Sequence, residues 1–231
     1  MNKSLSERIL YEDNHLIVVN KLPSEIVQGD KTGDSPLSED LKIFLKNKYN
    51  KPGNVFVGVV HRLDRPTSGV VMFAKTSKAL SRLTVMIRER EVKKTYWAIV
   101  KNSPKFPNGT LTHYLSRNPS KNKSFAGFEP KTGAKEAILS YKTLAKSKDY
   151  YLLEIDLKTG RHHQIRCQLS AINCPIKGDL KYGFPRSNPN ASISLHARYL
   201  EFIHPVSKEE IKITADPPED PLWNYFLGLK L

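Results

Sequence analysis

His61-Arg62-Leu63-Asp64-Arg65-Pro66-Thr67-Ser68-Gly69 is a polar turn set between two apolar runs, Val55-Phe56-Val57-Gly58-Val59-Val60 before it and Val70-Val71-Met72-Phe73-Ala74 after it. Short apolar runs bounded by turn residues read as buried strands. The turn therefore delivers one carboxylate, Asp64, on a connection held at both ends. Arg62 and Arg65 lie within two positions of it, and positive charge so near favours the ionised form, a state suited to a nucleophile or an electrostatic anchor. The same residues also read simply as a turn, since Asp bonds its own backbone and Pro fixes the next φ.

Working back toward the N-terminus, Ile9–Glu12 and Leu16–Lys21 read as two strands around an Asp13-Asn14 turn that tolerates positive φ. Residues 22–33, punctuated by Pro23, Gly29 and Gly33, read as a loop passing over the cleft. Ser35 fits an N-cap with Pro36 at the first helical position, and Leu37, Leu41, Phe44 and Leu45 recur at helical spacing as a packing face.

Working forward, Ser77 is placed to cap a second helix whose buried stripe is Leu80, Leu83 and Ile87. Its Lys78, Arg82 and Arg88, with Arg90 beyond, form a basic surface that serves either as a solvated face or as a track for phosphates. Residues 93–101 alternate as a strand with Tyr96, Ala98 and Val100 on one face. A tyrosine there is core unless that face lines the Asp64 cleft. A hairpin follows with arms at 111–115 and 137–141; between them, residues 117–135 carry five basic residues against one acid, with Phe125 and Phe128 interleaved. That stretch is either a clamp for nucleic acid or a mobile solvated loop. Residues 150–157 form another strand. After Lys158-Thr159-Gly160 helical spacing begins, with Ile165, Leu169 and Ile172 on one face and Arg166 at its edge, able to reach a cleft. Arg161, His162, His163 and Gln164 sit near the helix start, beside N–H groups that attract anions. Asn173-Cys174-Pro175 ends that helix; two strands around His204-Pro205 and a short C-terminal helix with Leu222, Phe226 and Leu229 complete the chain. With no repeat and no low-complexity linker, the elements are expected to share one mixed sheet.

Composition narrows the function. The chain has 231 residues, 39% hydrophobic and 26% charged, as in an ordinary globular protein. Its longest apolar run is about six residues against the roughly 20 of a membrane helix, so no membrane span is expected. Residues 1–8 do not resemble a signal peptide, and a cytoplasmic location is expected. Thirty-seven Lys and Arg against 23 Asp and Glu give a net charge of +14, the footprint of a polyanionic partner such as RNA. Cys167 and Cys174 read as buried reduced thiols. His163 and Cys167 are four apart, but no matching second pair follows at zinc-site spacing, so no metal is expected.

Four blocks, in order, resemble the RluA-type family of RNA pseudouridine synthases. The first is His61-Arg62-Leu63-Asp64-Arg65-Pro66-Thr67-Ser68-Gly69, and the second Lys94-Thr95-Tyr96-Trp97-Ala98-Ile99-Val100. The third runs from Thr159-Gly160-Arg161-His162-His163-Gln164-Ile165-Arg166 to Pro175-Ile176-Lys177-Gly178-Asp179 and Tyr182-Gly183. The fourth is Leu195-His196-Ala197 with Phe202 and His204-Pro205. Two departures stand out: Asn20-Lys21-Leu22-Pro23-Ser24 where the family commonly has Asp-Lys-Pro-x-Gly, and His162 where Thr is common.

The resemblance implies an α+β fold, a mixed, mainly antiparallel central sheet flanked by helices and loops with a catalytic cleft across it. It implies one catalytic domain over residues 1–231, two lobes about that cleft, without the extra N-terminal RNA-binding domain of many relatives. The implied reaction is isomerisation of uridine to pseudouridine in ribosomal or transfer RNA, which needs no cofactor and no metal. Asp64 would be the catalytic carboxylate, Arg166 its ion-pair partner, and Tyr96 the residue packed on the base and involved in the proton shift. Arg62 would fill the gap left by a flipped base. Leu195 would form an apolar wall, and His61, Lys94, Arg161, His163 and Gln164 would contact substrate. A monomer is expected. Two other classes share these residues: a catalytically silent RNA-binding assembly factor, and a hydrolase that would leave free uracil and an abasic site.

Overall fold

The computed structural model describes residues 3–30 and 32–229. Met1 and Asn2 of the leader reading, and Lys31 of the loop at 22–33, lie outside the described residues. In chain order the elements are β1 (Ile9–Glu12), β2 (Leu16–Lys21), α1 (Leu37–Lys48), β3 (Gly58–Val59), β4 (Ser68–Ala74), α2 (Ser77–Arg88), β5 (Lys93–Val100), β6 (Asn108–Asn118), β7 (Lys123–Gly127), β8 (Lys135–Lys146), β9 (Tyr151–Leu157), α3 (Gln164–Ala171), β10 (Leu195–Ile203), β11 (Glu210–Thr214) and α4 (Pro221–Leu227). The α+β class is as expected, with mostly antiparallel strands and four α-helices among the described residues. None of these helices is long and apolar enough to cross a membrane. The chain divides into two compact units: the chain through Val92 with Ala197–Asp216, and Lys93–His196 with the chain from Pro217 onward.

In the first unit the strands run β1-β2-β4-β10, with β3 on β4 and β11 on β10. All seven residues of β4 are buried. A strand covered on both faces reads as a continuous apolar run rather than an alternation, which is what residues 70–74 show. The run at 55–60 pairs only through Gly58 and Val59, opposite Ala74 and Phe73, so it is shorter than its composition suggests. Leu80 of α2 packs where a Gly58 side chain would stand, while Phe56 faces solvent.

Three local expectations shift. The β1–β2 turn needs no positive φ at Asp13 or Asn14; the Asp13 carboxylate instead accepts from the N–H groups of His15 (2.7 Å) and Leu16 (2.6 Å), a local side-chain bond that makes the turn without strain. Pro36, not Ser35, is the N-cap of α1, because the Ser35 hydroxyl donates to Asp40 instead. Thr76 caps α2 by accepting from Ala79 N–H, and the buried face is Ala79, Leu83 and Met86, with Leu80 and Ile87 half-buried beside it.

The second unit is an antiparallel array in the order β5-β9-β8-β6-β7. Here the stretch at 117–135 is not one long loop. Lys123–Gly127 pairs with residues 114–118 as a further strand, because Ser124 turns inward and its N–H donates to Tyr182 Oη at 2.9 Å. Phe125 and Phe128 remain exposed on this hairpin. Helix α3 is not half-exposed: residues 164–169 are all buried. Arg166 therefore lies inside packed structure rather than at the edge of an apolar stripe. Cys167 and Cys174 are free and buried, and burial pushes both thiols up to about 11. In α4 the buried residues are Trp223 and Phe226; Leu222 is half-buried and Leu229 falls beyond the helix.

Candidate active site

The turn at 61–69 is fixed from several sides within the first unit. His61 Nε2 accepts the N–H of Met72 at 3.1 Å, which pins the start of the turn to β4 and leaves the ring proton on Nδ1. Leu63 is buried, Asp64 half-buried and Arg62 exposed. The Asp64 carbonyl accepts Thr67 N–H at 3.0 Å, closing the chain over Arg65 and Pro66. At its far end Gly69 has φ +116, and a Cβ there would stand 2.3 Å from Ala197 O. No side chain fits that position, and few residues adopt that conformation.

Beneath the turn lies Lys21, the last residue of β2 and fully buried. Its ammonium donates to the carbonyls of Leu22 (2.9 Å), Arg65 (3.1 Å) and Thr67 (2.7 Å). Burial pushes its pKa down to about 7, against the pull of Glu25 and Asp64. The Arg65 carbonyl also accepts Ser24 N–H at 2.9 Å, and the Arg65 guanidinium pairs with Asp34 and reaches Thr32. Ser24, Thr32 and Asp34 are thus tied to the Asp64 turn inside one unit.

The remaining candidate residues belong to the second unit. Tyr96 is buried on β5, opposite Ile155 of β9. Lys94 is half-buried with its ammonium beside Gly160, and burial lowers its pKa. Arg161 is exposed and donates from Nε to Glu136 O at 3.0 Å. His163, at φ +53, stands before α3; its ring stacks on His162 at 3.8 Å, and its Nδ1 pairs with Tyr182 Oη at 3.0 Å. Gln164 braces the segment before the helix: its Oε1 accepts from Thr159 Oγ1 (2.8 Å) and Arg161 N–H (3.0 Å), and its Nε2 donates to Ile138 O (3.1 Å). Leu195 is buried at the start of β10.

Arg166 is held by a carboxylate that the sequence marks only as part of a turn. Its Nε and Nη2 donate to the two oxygens of Asp179 at 2.7 and 2.9 Å, and its guanidinium lies 5.0 Å from the centre of the Tyr182 ring. Arg166 and Asp179 are 5% and 1% exposed. A fork-to-fork pair of this kind fixes the plane of the guanidinium as well as its charge. Burial pushes the Tyr182 hydroxyl up to about 12, so it remains a neutral partner for Ser124 and His163. No group of three His, Cys, Asp or Glu suited to a metal ion occurs among the described residues.

The segment from 15 to 171, which contains Asp64, Tyr96 and Arg166, matches the model of the RNA pseudouridylate synthase family. The chain belongs to that family. It is 36% identical over 213 residues to an uncharacterized RNA pseudouridine synthase of Synechocystis, covering 91% of this chain and 65% of that protein. It is 35% identical over 215 residues to ribosomal large subunit pseudouridine synthase C of Buchnera aphidicola, covering 90% of this chain and 66% of that one. The chain thus spans slightly less than two thirds of the length of these relatives. Among solved structures, human RNA Pseudouridylate Synthase Domain Containing 4 is similar with a TM-score of 0.79 at 25% identity, covering 96% of this chain and 92% of that chain.

Within this pseudouridylate synthase fold, sequence reasoning missed Lys21, Asp179 and Tyr182 as supports. The alternation Ile17, Val19, Lys21 does place the lysine in register with buried residues, which is the signal that could have found it.

Proposed function

We propose that this chain isomerises specific uridines to pseudouridine in ribosomal or transfer RNA, with Asp64 as the catalytic carboxylate. The observation that carries this reading is the family match across the Asp64 turn, the Tyr96 strand and the Arg166 helix. The chemistry conserves every atom: the bond from the sugar to the ring nitrogen breaks, the uracil turns, a ring carbon takes the sugar and gives up its proton, and the freed ring nitrogen takes up a proton. Asp64 serves the bond-breaking step, and Arg166 supplies positive charge to the reaction. Tyr96 packs on the base and takes part in the proton shift. Exposed Arg62, beside Asp64 on the clamped turn, fills the space of the flipped nucleotide. His61, Lys94, Arg161, His163, Gln164 and Leu195 form the surroundings of the substrate. The charge of +14 suits an RNA backbone as ligand.

The test is carbodiimide-blocked primer extension on ribosomal and transfer RNA from cells with the gene, without it, and complemented with Asp64→Asn. Pseudouridines that vanish with the gene are expected to stay absent with Asp64→Asn, whose turnover falls on the order of 10³-fold. Their return with the Asn variant removes Asp64 from this role. No lost site in any RNA favours a binding-only factor, and free uracil with abasic sites favours a hydrolase.

A further inference from the structure

We propose that Arg65 is a contact for an RNA phosphate and that, in the free protein, the Asp34 carboxylate stands in the place of that phosphate, so that RNA docks on the Asp64 turn by exchanging one anion for another. The inference rests on the reading of RNA as the partner given above.

The turn carries an arginine on each side of Asp64, and the two differ. Arg62 is exposed, whereas Arg65 is half-buried with its guanidinium paired to Asp34. Arg65 Nη2 donates to an Asp34 carboxylate oxygen and, at 3.3 Å, to the Thr32 hydroxyl. That hydroxyl lies 3.1 Å from the same Asp34 oxygen and also meets the Asp30 carboxylate. Two carboxylates therefore bear on one guanidinium, next in chain to the group that an RNA has to approach. In a chain of net charge +14, acids at that place oppose a polyanion, unless they give way to it. The planar fork of a guanidinium fits carboxylate and phosphate alike, which makes Asp34 and a phosphate interchangeable ligands of Arg65. Asp34 uses the fork only in part, since Arg65 Nε has no partner among the described residues. A phosphodiester has two free oxygens and takes two donors at once. The exchange moves the Arg65 side chain alone, because its carbonyl is fixed by Ser24 N–H at 2.9 Å and by Lys21 Nζ at 3.1 Å. The side chains of Arg65 and Asp34 are 40% and 57% exposed. Solvent screens such a pair, so it opens at little cost and the gain from removing it is small.

The test measures the Kd for ribosomal RNA, taken from cells lacking the gene, across a salt series. Wild type is compared with Asp34→Asn, Arg65→Gln and the double variant. Asp34→Asn is expected to tighten binding about two- to fivefold, with the single-turnover rate at saturating RNA unchanged. Arg65→Gln is expected to weaken binding and to flatten the slope of log Kd against log salt by about 0.7–0.9, the share of one phosphate contact. In the Arg65→Gln background the gain from Asp34→Asn is expected to disappear. A gain of equal size in that background shows that one lost negative charge acts from anywhere on the surface, and overturns the proposal. So does an unaltered Kd for Asp34→Asn, an unaltered salt slope for Arg65→Gln, or a changed rate at saturation for Asp34→Asn. A wild-type chain that makes no pseudouridine, with the gain and its dependence on Arg65 as expected, defeats the activity reading and leaves the anion exchange standing.

Discussion

Asp64 and Arg166 are both immobilised, but by opposite means. In the first unit the Asp64 turn is held through its main chain: a lysine ammonium and an amide reach its carbonyls, and its closing bond is itself between backbone groups. In the second unit Arg166 is held through its side chain, by both oxygens of one carboxylate and the face of one tyrosine. A main-chain hold asks little of the residues it grips, since every residue has a carbonyl. A side-chain hold asks for particular partners, and losing one strands the other.

This contrast can be broken most forcefully at Asp179. Asp179→Ala leaves a buried guanidinium without its carboxylate, and is expected to cost about 3–5 kcal/mol, read as a lower denaturant midpoint at unchanged m-value. A cost below about 1 kcal/mol would mean that the pair contributes little net stability. On the main-chain side, Gly69→Ala forces a Cβ to within 2.3 Å of Ala197 O at a positive φ. A loss on the order of 3 kcal/mol is expected, again from equilibrium unfolding, and a neutral outcome would show that β4 and β10 part easily.

The third test sharpens the contrast by placing a side-chain hold in the first unit. Burial alone would raise the Glu12 pKa, but bonds from Lys48, Lys75 and Tyr49 outweigh it and bring the carboxyl to about 2 from an ordinary 4.5. Because the folded state binds its proton less readily than the unfolded chain, the stabilisation is fully present above about pH 4.5 and is lost as pH falls through about 2. It is on the order of 3 kcal/mol. The urea midpoint of wild type should therefore drop between pH 5 and pH 2 more steeply than that of Glu12→Gln; parallel curves would show that Glu12 is not held.

The same contrast explains what the sequence discloses. The Asp64 turn is legible because polar residues interrupt two apolar runs, a pattern set by burial alone. The strands from 9 to 21, the strand at 93–100 and the hairpin arms near 111 and 139 are legible for the same reason. The strand at Lys123–Gly127 is not: its lysine and phenylalanine resemble a solvated loop, and its order comes from pairing with β6 and from Ser124 meeting Tyr182. The environment of Arg166 is misread because helix α3 is buried all round, so periodicity has no exposed face against which to show. Lys21 escapes notice because carbonyls leave no signature in side-chain identity. Asp179 follows Gly178 in what reads as a turn, and only the fold reveals that its carboxylate is consumed by an arginine thirteen residues earlier.

A turn gripped by its carbonyls also separates where its carboxylate sits from what stands beside it. Arg62 is exposed on that turn, so a change of its side chain is expected to alter what the turn engages while leaving the address of Asp64 undisturbed. The effect of a residue two positions from the carboxylate is then separable from any displacement of the carboxylate itself.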